Sequence, residues 1–129
     1  MSFSMHYMID ADVDRHLIIE KIYGTWKKET AEEYHRDFME VAKPLVGGKW
    51  AKLINLTNWK SSYPEMVAVI GQHLRWCREN GMILSVNIID NQITKAQLKK
   101  MFQIGGTAQM SKIVRTEADA LKTLAEHGF

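Results

Sequence analysis

A lone cysteine, Cys77, occurs in the 129 residues, so no internal disulfide can form and no multi-thiolate metal site can be assembled. Such a thiol suits a reducing cytoplasm. Neither sign of charge dominates: 17 Lys and Arg are interleaved with 15 Asp and Glu, leaving no basic face for nucleic acid, which is therefore not expected as a partner. No apolar run approaches the roughly 18 residues that a membrane helix needs. The first ten residues also lack both a basic start and a long apolar stretch, so neither an integral membrane segment nor a leader is expected. No serine sits in a nucleophile elbow, and no glycine-rich loop has phosphate-binding spacing. What is present is ordinary for a globular protein, 46% hydrophobic and 25% charged residues with no shift in composition along the chain. That predicts a single domain over residues 1–129, long enough to bury a core without staples.

Residues 6–9 read as a short strand, ended by a turn in which Asp10, Asp12 and Asp14 bond nearby backbone amides. A second strand over 16–23 puts Leu17, Ile19 and Tyr23 on one face and Ile18, Glu20 and Ile22 on the other, with Gly24 closing it. Residues 28–43 form an amphipathic helix through Ala31, Tyr34, Phe38 and Val41, begun by Thr30 with Glu33 or by Thr25, and ended by Pro44 and Gly47-Gly48. A buried strand over 50–56 leads into a loop at 57–62. A helix over 63–80 then starts from a Ser62/Glu65 capping box with Pro64 in its first turn, and Gly81 ends it. The strand over 83–89 alternates Leu84, Val86 and Ile88 with Ser85 and Asn87. Thr94 with Gln97 opens a third helix that Gly105-Gly106 stops, residues 112–115 form a weak strand, and Thr116 caps a last helix. The order β-β-α-β-α-β-α-β-α predicts an α/β domain with a mixed five-stranded sheet and four helices, built on parallel crossovers with an antiparallel edge hairpin.

Several residue types could carry chemistry. His73 and Cys77 stand four apart on one helix face, which places an imidazole beside a thiol, but two ligands are too few for zinc and both fall on the core side. As a nucleophile Cys77 sits near the wrong end of its helix, where the dipole disfavours a thiolate. Glu29, Glu32 and Glu33 complement the positive end of the first helix. The three aspartates lack the spacing of a calcium loop. No catalytic residue, metal or cofactor is expected.

The segment from Asn55 to Glu65 leaves the carboxyl end of a central strand and enters a helix, where ligands gather on open α/β sheets. Trp59 and Tyr63 add aromatic surface there, with Lys60 between them, although Trp59 can also fold onto the core. Trp26 and Asn91 emerge at the same sheet edge under this topology. Trp26, Asn55, Trp59, Lys60, Tyr63 and Asn91 are accordingly the candidate binding residues.

The chain resembles, over nearly its whole length, the small bacterial SpoIIAA-like proteins grouped with STAS domains and sometimes labelled STAS/SEC14. The residues carrying the resemblance are Ile19-Glu20 with Gly24-Thr25-Trp26; Lys49-Trp50-Ala51-Lys52-Leu53 with Asn55-Leu56; Trp59, Pro64-Glu65, His73 and Trp76; Asn80-Gly81; and Thr116-Glu117-Ala118 with Gly128-Phe129. The resemblance implies a STAS fold and a non-enzymatic regulatory role. STAS regulators of the anti-anti-sigma type carry a phosphorylatable serine in an Asp-Ser-Ser-Gly loop before the second helix. Lys60-Ser61-Ser62-Tyr63 occupies that place here, making Ser61 and Ser62 candidate phosphorylation sites, with lysine in place of the acid and tyrosine in place of glycine.

The expected function is a cytoplasmic module that recognises a protein partner or a small apolar ligand through residues 55–63. A lipid or amphiphile carrier is the alternative, suggested by the SEC14 label and by eight methionines able to line an adaptable cavity. A small enzyme using His73 or Cys77 is the third reading. Pairing of two copies through the edge hairpin or an apolar helix face is left open.

Overall fold

The computed structural model describes residues 1–129, the side chain of Ser61 excepted. Six strands, β1 (Ser2–Phe3), β2 (Tyr7–Asp12), β3 (Leu17–Trp26), β4 (Trp50–Ser62), β5 (Met82–Ile88) and β6 (Ser111–Val114), lie in one sheet in chain order. The helices are α1 (Lys28–Ala42), α2 (Pro64–Glu79), α3 (Gln92–Gly105) and α4 (Glu117–Glu126). The strands β1 to β3 pair antiparallel and β3 to β6 pair parallel. Each parallel crossover steps to the next strand in the same direction. With a constant right-handed connection, such steps deliver α1, α2 and α3 to one face of the sheet. The helix α4, which makes no crossover, packs on the other.

Strand alternation divides the core accordingly. Tyr7, Ile9, Ile18, Ile22, Trp50 and Ile54 face the three helices and meet Tyr34, Phe38, Met66, Leu74 and Phe102. Leu17, Ala51, Leu53, Leu84, Val86 and Ile88 face the opposite way and meet Ala120 and Leu124 of α4. The helices α2 and α3 touch backbone to backbone. A Cβ placed on Gly71 would lie 2.3 Å from Ile104 Cγ2, and one on Gly105 would lie 2.8 Å from the Gly71 carbonyl oxygen.

The mixed sheet has six strands rather than the expected five, because Ser2 and Phe3 add an edge strand opposite Ile9 and Met8. Two residues carry no period, so pattern gave no sign of it. The strand expected over 6–9 runs from Tyr7 through Asp12, and the turn falls on residues 13–16 rather than 10–14, with the Arg15 amide donating to Asp12 Oδ1 at 3.3 Å and His16 at φ 53°.

Two further boundaries move for one reason. Gly24 does not close its strand; at φ +72° it accompanies a register shift, and β3 continues to Trp26. This continuation gives β4 a partner beyond residue 56, so residues 57–62, expected as a loop, pair as strand with Tyr23 opposite Asn58 and Trp26 opposite Ser62.

Caps moved as well. Lys27 and Tyr63 occupy the N-cap positions of α1 and α2 with no side-chain cap bond, so neither Thr25, Thr30 nor Ser62 caps a helix. Pro64 does begin α2. Asn91 rather than Thr94 caps α3, accepting from the amides of Ile93 and Thr94, whereas Thr116 caps α4 as expected.

Candidate functional site

Glu20 on β3 and Lys52 on β4 occupy inward positions among Ile18, Ile22 and Ile54, so the alternation that buries the apolar side chains buries this pair of charges too. Lys52 Nζ lies 3.2 Å from Glu20 Oε2, with 1% and 0% of the two side chains exposed. That contact is ionic rather than a directed hydrogen bond, since Oε2 accepts none. Tyr34 of α1 donates a short hydrogen bond to Glu20 Oε1. Lys52 Nζ also donates to the Tyr34 hydroxyl and to His73 Nε2 of α2, each at 3.2 Å, and stands 4.6 Å from the Phe38 ring centroid.

An ammonium has no lone pair, so His73 Nε2 is the acceptor and its proton sits on Nδ1. That proton points at His35 Nδ1, 2.8 Å away. Both imidazoles are therefore neutral in this arrangement. Burial first, and then the charge of Lys52, hold His73 well below the ordinary histidine range and lower His35 by the same causes. Burial raises the Glu20 carboxyl, opposed by Lys52 and by the Tyr34 hydrogen bond. The Tyr34 hydroxyl is raised well above its usual value by burial and by Glu20. The line Glu20, Lys52, His73, His35 thus runs from the sheet to half-buried His35, beside the cleft between α1 and α2.

Cys77 Sγ lies 3.5 Å from His73 Nε2, but burial pushes its thiol up to about 12. A protonated, buried thiol is a poor nucleophile. No group of three or more His, Cys, Asp or Glu among the described residues is arranged to hold a metal ion.

Beside Lys52 is an internal cavity of about 50 Å³ between the sheet and the inner faces of α2 and α3. Every residue lining it is buried. Its wall is apolar apart from Tyr34, Lys52, His73, Asn87 and the indoles of Trp26 and Trp59. An apolar cavity that encloses benzene measures about 150 Å³, so this one has no room for an acyl chain in this conformation and gives the lipid-carrier reading no support.

Trp26 and Trp59 are 2% and 4% exposed, which corrects the expectation of aromatic surface at the rim. As strand residues facing the helices, they became cavity wall instead. Trp26 Nε1 donates to the Tyr23 carbonyl at 3.0 Å, whereas Trp59 Nε1 has no partner. Asn55 is half-buried and binds its own strand, accepting from the Thr57 amide and hydroxyl. Lys60 and Tyr63 are exposed at the carboxyl end of the sheet, and Asn91 is exposed there with its side-chain oxygen engaged as a helix cap. Ser62 is buried with its hydroxyl unpartnered, and its carbonyl accepts from Gln97 Nε2 at 3.2 Å. The Ser61 side chain lies outside the described residues.

The Tyr63 amide donates to the Trp26 carbonyl at 3.0 Å, and Asn91 follows the carboxyl end of parallel β5, so the three positions lie at one end of the sheet. Glu20, Lys52, Tyr34 and His35 were missed as a group. Their signal was a charge at an inward strand position, visible in the faces assigned to residues 16–23.

No family model matches the chain, and no curated protein sequence matches it. Solved structures do. An uncharacterised protein of the DUF3478 family with a SpoIIAA-like fold, from Shewanella loihica PV-4, superposes with a TM-score of 0.65 at 16% identity, covering 96% of this chain and 98% of its own. The solution structure of the protein TM1081 superposes with a TM-score of 0.62 at 14% identity, covering 97% and 91%. The phosphorylated form of the Bacillus cell fate determinant SpoIIAA does so with a TM-score of 0.56 at 14% identity, covering 92% and 98%. The chain has a SpoIIAA-like α/β fold, the STAS architecture. Among the described residues no helix is long and apolar enough to cross a membrane.

Proposed function

We propose that this SpoIIAA-like chain is a non-enzymatic regulatory module that docks a protein partner at the carboxyl end of its sheet. The observation carrying this reading is a pair of exposed apolar residues there: Tyr63, 46% exposed at the start of α2, and Ile93, 73% exposed in the first turn of α3. Desolvating such side chains at the centre of a contact is a main source of binding energy between proteins. The adjoining stretch of β4 supports the same reading. Pairing with β5 ends at Asn55, and from Asn58 to Ser62 the strand pairs with β3 alone, leaving its far edge toward this rim. Exposed Lys60 and Asn91 supply a polar margin.

The Cys77 thiol, buried and pushed up to about 12, offers no thiolate to a catalytic reading of that residue. Phosphorylation would act at this rim, as the solved phosphorylated form of SpoIIAA suggests by analogy. A phosphate on Ser61 or Ser62 would add close to two negative charges beside Tyr63. At Ser62 the end of β4 must open first, because the hydroxyl is buried.

A photocrosslinking amino acid placed at Tyr63 in source cells tests the proposal. A single protein adduct is expected, lost in Ile93→Asp and not formed from the same probe at Ile83, an exposed residue at the opposite end of β5. No adduct from Tyr63, or equal adducts from both positions, would refute the docking rim.

A further inference from the structure

The hydrogen-bond line that begins at Lys52 has one free end. Lys52 donates to His73 Nε2, so His73 carries its proton on Nδ1 and donates it to His35 Nδ1. A neutral ring whose Nδ1 accepts holds its own proton on Nε2. That N–H has no partner among the described residues, and Nε2 is not one of the unpartnered polar atoms sealed inside the protein, so it reaches solvent. His35 lines the open cleft of about 710 Å³ between α1 and α2, with buried His73 beside it. Pockets for small molecules measure about 300–1,000 Å³, so the cleft has room for one.

We propose that this cleft binds the carboxylate of a small molecule, which accepts from His35 Nε2–H and pairs with Arg36. The direction of the line selects an acceptor. Both lone-pair nitrogens are already used, His73 Nε2 by Lys52 and His35 Nδ1 by His73, so the two rings offer a donor and no ligand atom for a metal. Successive hydrogen bonds that point the same way polarise one another, so the ammonium at the inner end strengthens the N–H at the outer one. Arg36 follows His35 in sequence, lines the same cleft, and is exposed without an ion-pair partner among the described residues. Its long side chain is free to close on an oxygen held at His35. Glu32, one turn before Arg36 on the same wall, is unpaired as well. It opposes a second negative charge on the guest, which favours a carboxylate over a phosphate dianion. Lys28 and Glu65 line the cleft nearer the amino-terminal ends of the helices and balance each other. The proposal uses no residue of the docking rim and does not depend on a partner.

Nitrogen NMR of the isotopically labelled protein at neutral pH tests the assignment. The tautomers come first: His35 is expected as Nε2–H and His73 as Nδ1–H. A titration with butyrate follows, with butylammonium at equal ionic strength as the control. Saturable shifts at His35 Nε2 are expected with butyrate and not with butylammonium. Arg36→Gln should weaken butyrate about threefold, the loss of one exposed ion pair, and Glu32→Gln should tighten it by a similar factor. Neither residue bonds to the buried line, so unchanged His73 signals report that both variants remain folded. His35 found as the Nδ1–H tautomer would overturn the proposal, as would the absence of a saturable shift with butyrate. Equal shifts with butylammonium, affinities indifferent to both substitutions, or inorganic phosphate binding more tightly than butyrate would each overturn it too.

Discussion

Lys52 and Glu20 are joined inside the protein at 3.2 Å with almost no exposed surface on either. Burying two charges carries a large desolvation cost, so the pair itself need not stabilise the fold, but leaving one of them alone is severe. Lys52→Met is expected to destabilise the protein by about 3–5 kcal/mol, read from urea unfolding. The double variant Lys52→Met with Glu20→Gln should recover most of that loss, and failure to recover would mean that Lys52 matters through packing rather than charge.

Acid should weaken the fold. His73 and His35 are held neutral below the ordinary value of 6.5, so as pH falls through about 6.5 the unfolded chain takes up protons that the folded one refuses, and stability declines. Glu20 works in the opposite sense. Its carboxyl is raised above 4.5 in the fold, so in more acid solution the folded state protonates first and offsets part of the decline. Urea midpoints measured across this range should slope less steeply in His73→Gln than in the natural chain.

Cys77 should resist modification. With its thiol buried and pushed up to about 12, iodoacetamide is expected to label it only when the structure opens, so the rate should rise with urea in step with unfolding. Labelling in native buffer at the rate of an unfolded peptide would contradict the burial.

Trp59 and Tyr63 should respond differently despite being neighbours in sequence. Trp59→Ala removes a core indole and is expected to cost about 3–5 kcal/mol, whereas Tyr63→Ala should change stability by less than about 0.5 kcal/mol. Thermal and urea unfolding of the two variants measures both.

This contrast shows where sequence reading reached its limit. Helix faces such as Ala31, Tyr34 and Phe38 were legible because a 3.6-residue period repeats for several turns. Trp59 was ambiguous because the fate of residues 57–62 depended on how far β3 continued, and a glycine with positive φ can end a strand or bend it. The rim was legible in outline, since parallel topology alone brings Trp26, Tyr63 and Asn91 to one end. Which of their side chains turned inward was not, because Trp59 and Trp26 follow a register shift near Gly24. The buried polar line was written in the strand alternation, but its closure needed His73, Tyr34 and His35 from two helices, and that is information about packing between elements.

The contact of α2 with α3 seats the Ile104 side chain on Gly71 and brings Gly105 against the Gly71 carbonyl, leaving neither helix room to move closer. That crossing therefore acts as a fixed fulcrum near the closing turns of α3. Any widening of the cavity is then a swing of the amino-terminal halves of the two helices, which carry Met66 and Leu98 on the cavity wall and Tyr63 and Ile93 at the rim. The room inside the protein and the shape its rim offers to a neighbouring macromolecule are, in this geometry, two readings of a single angle between helices.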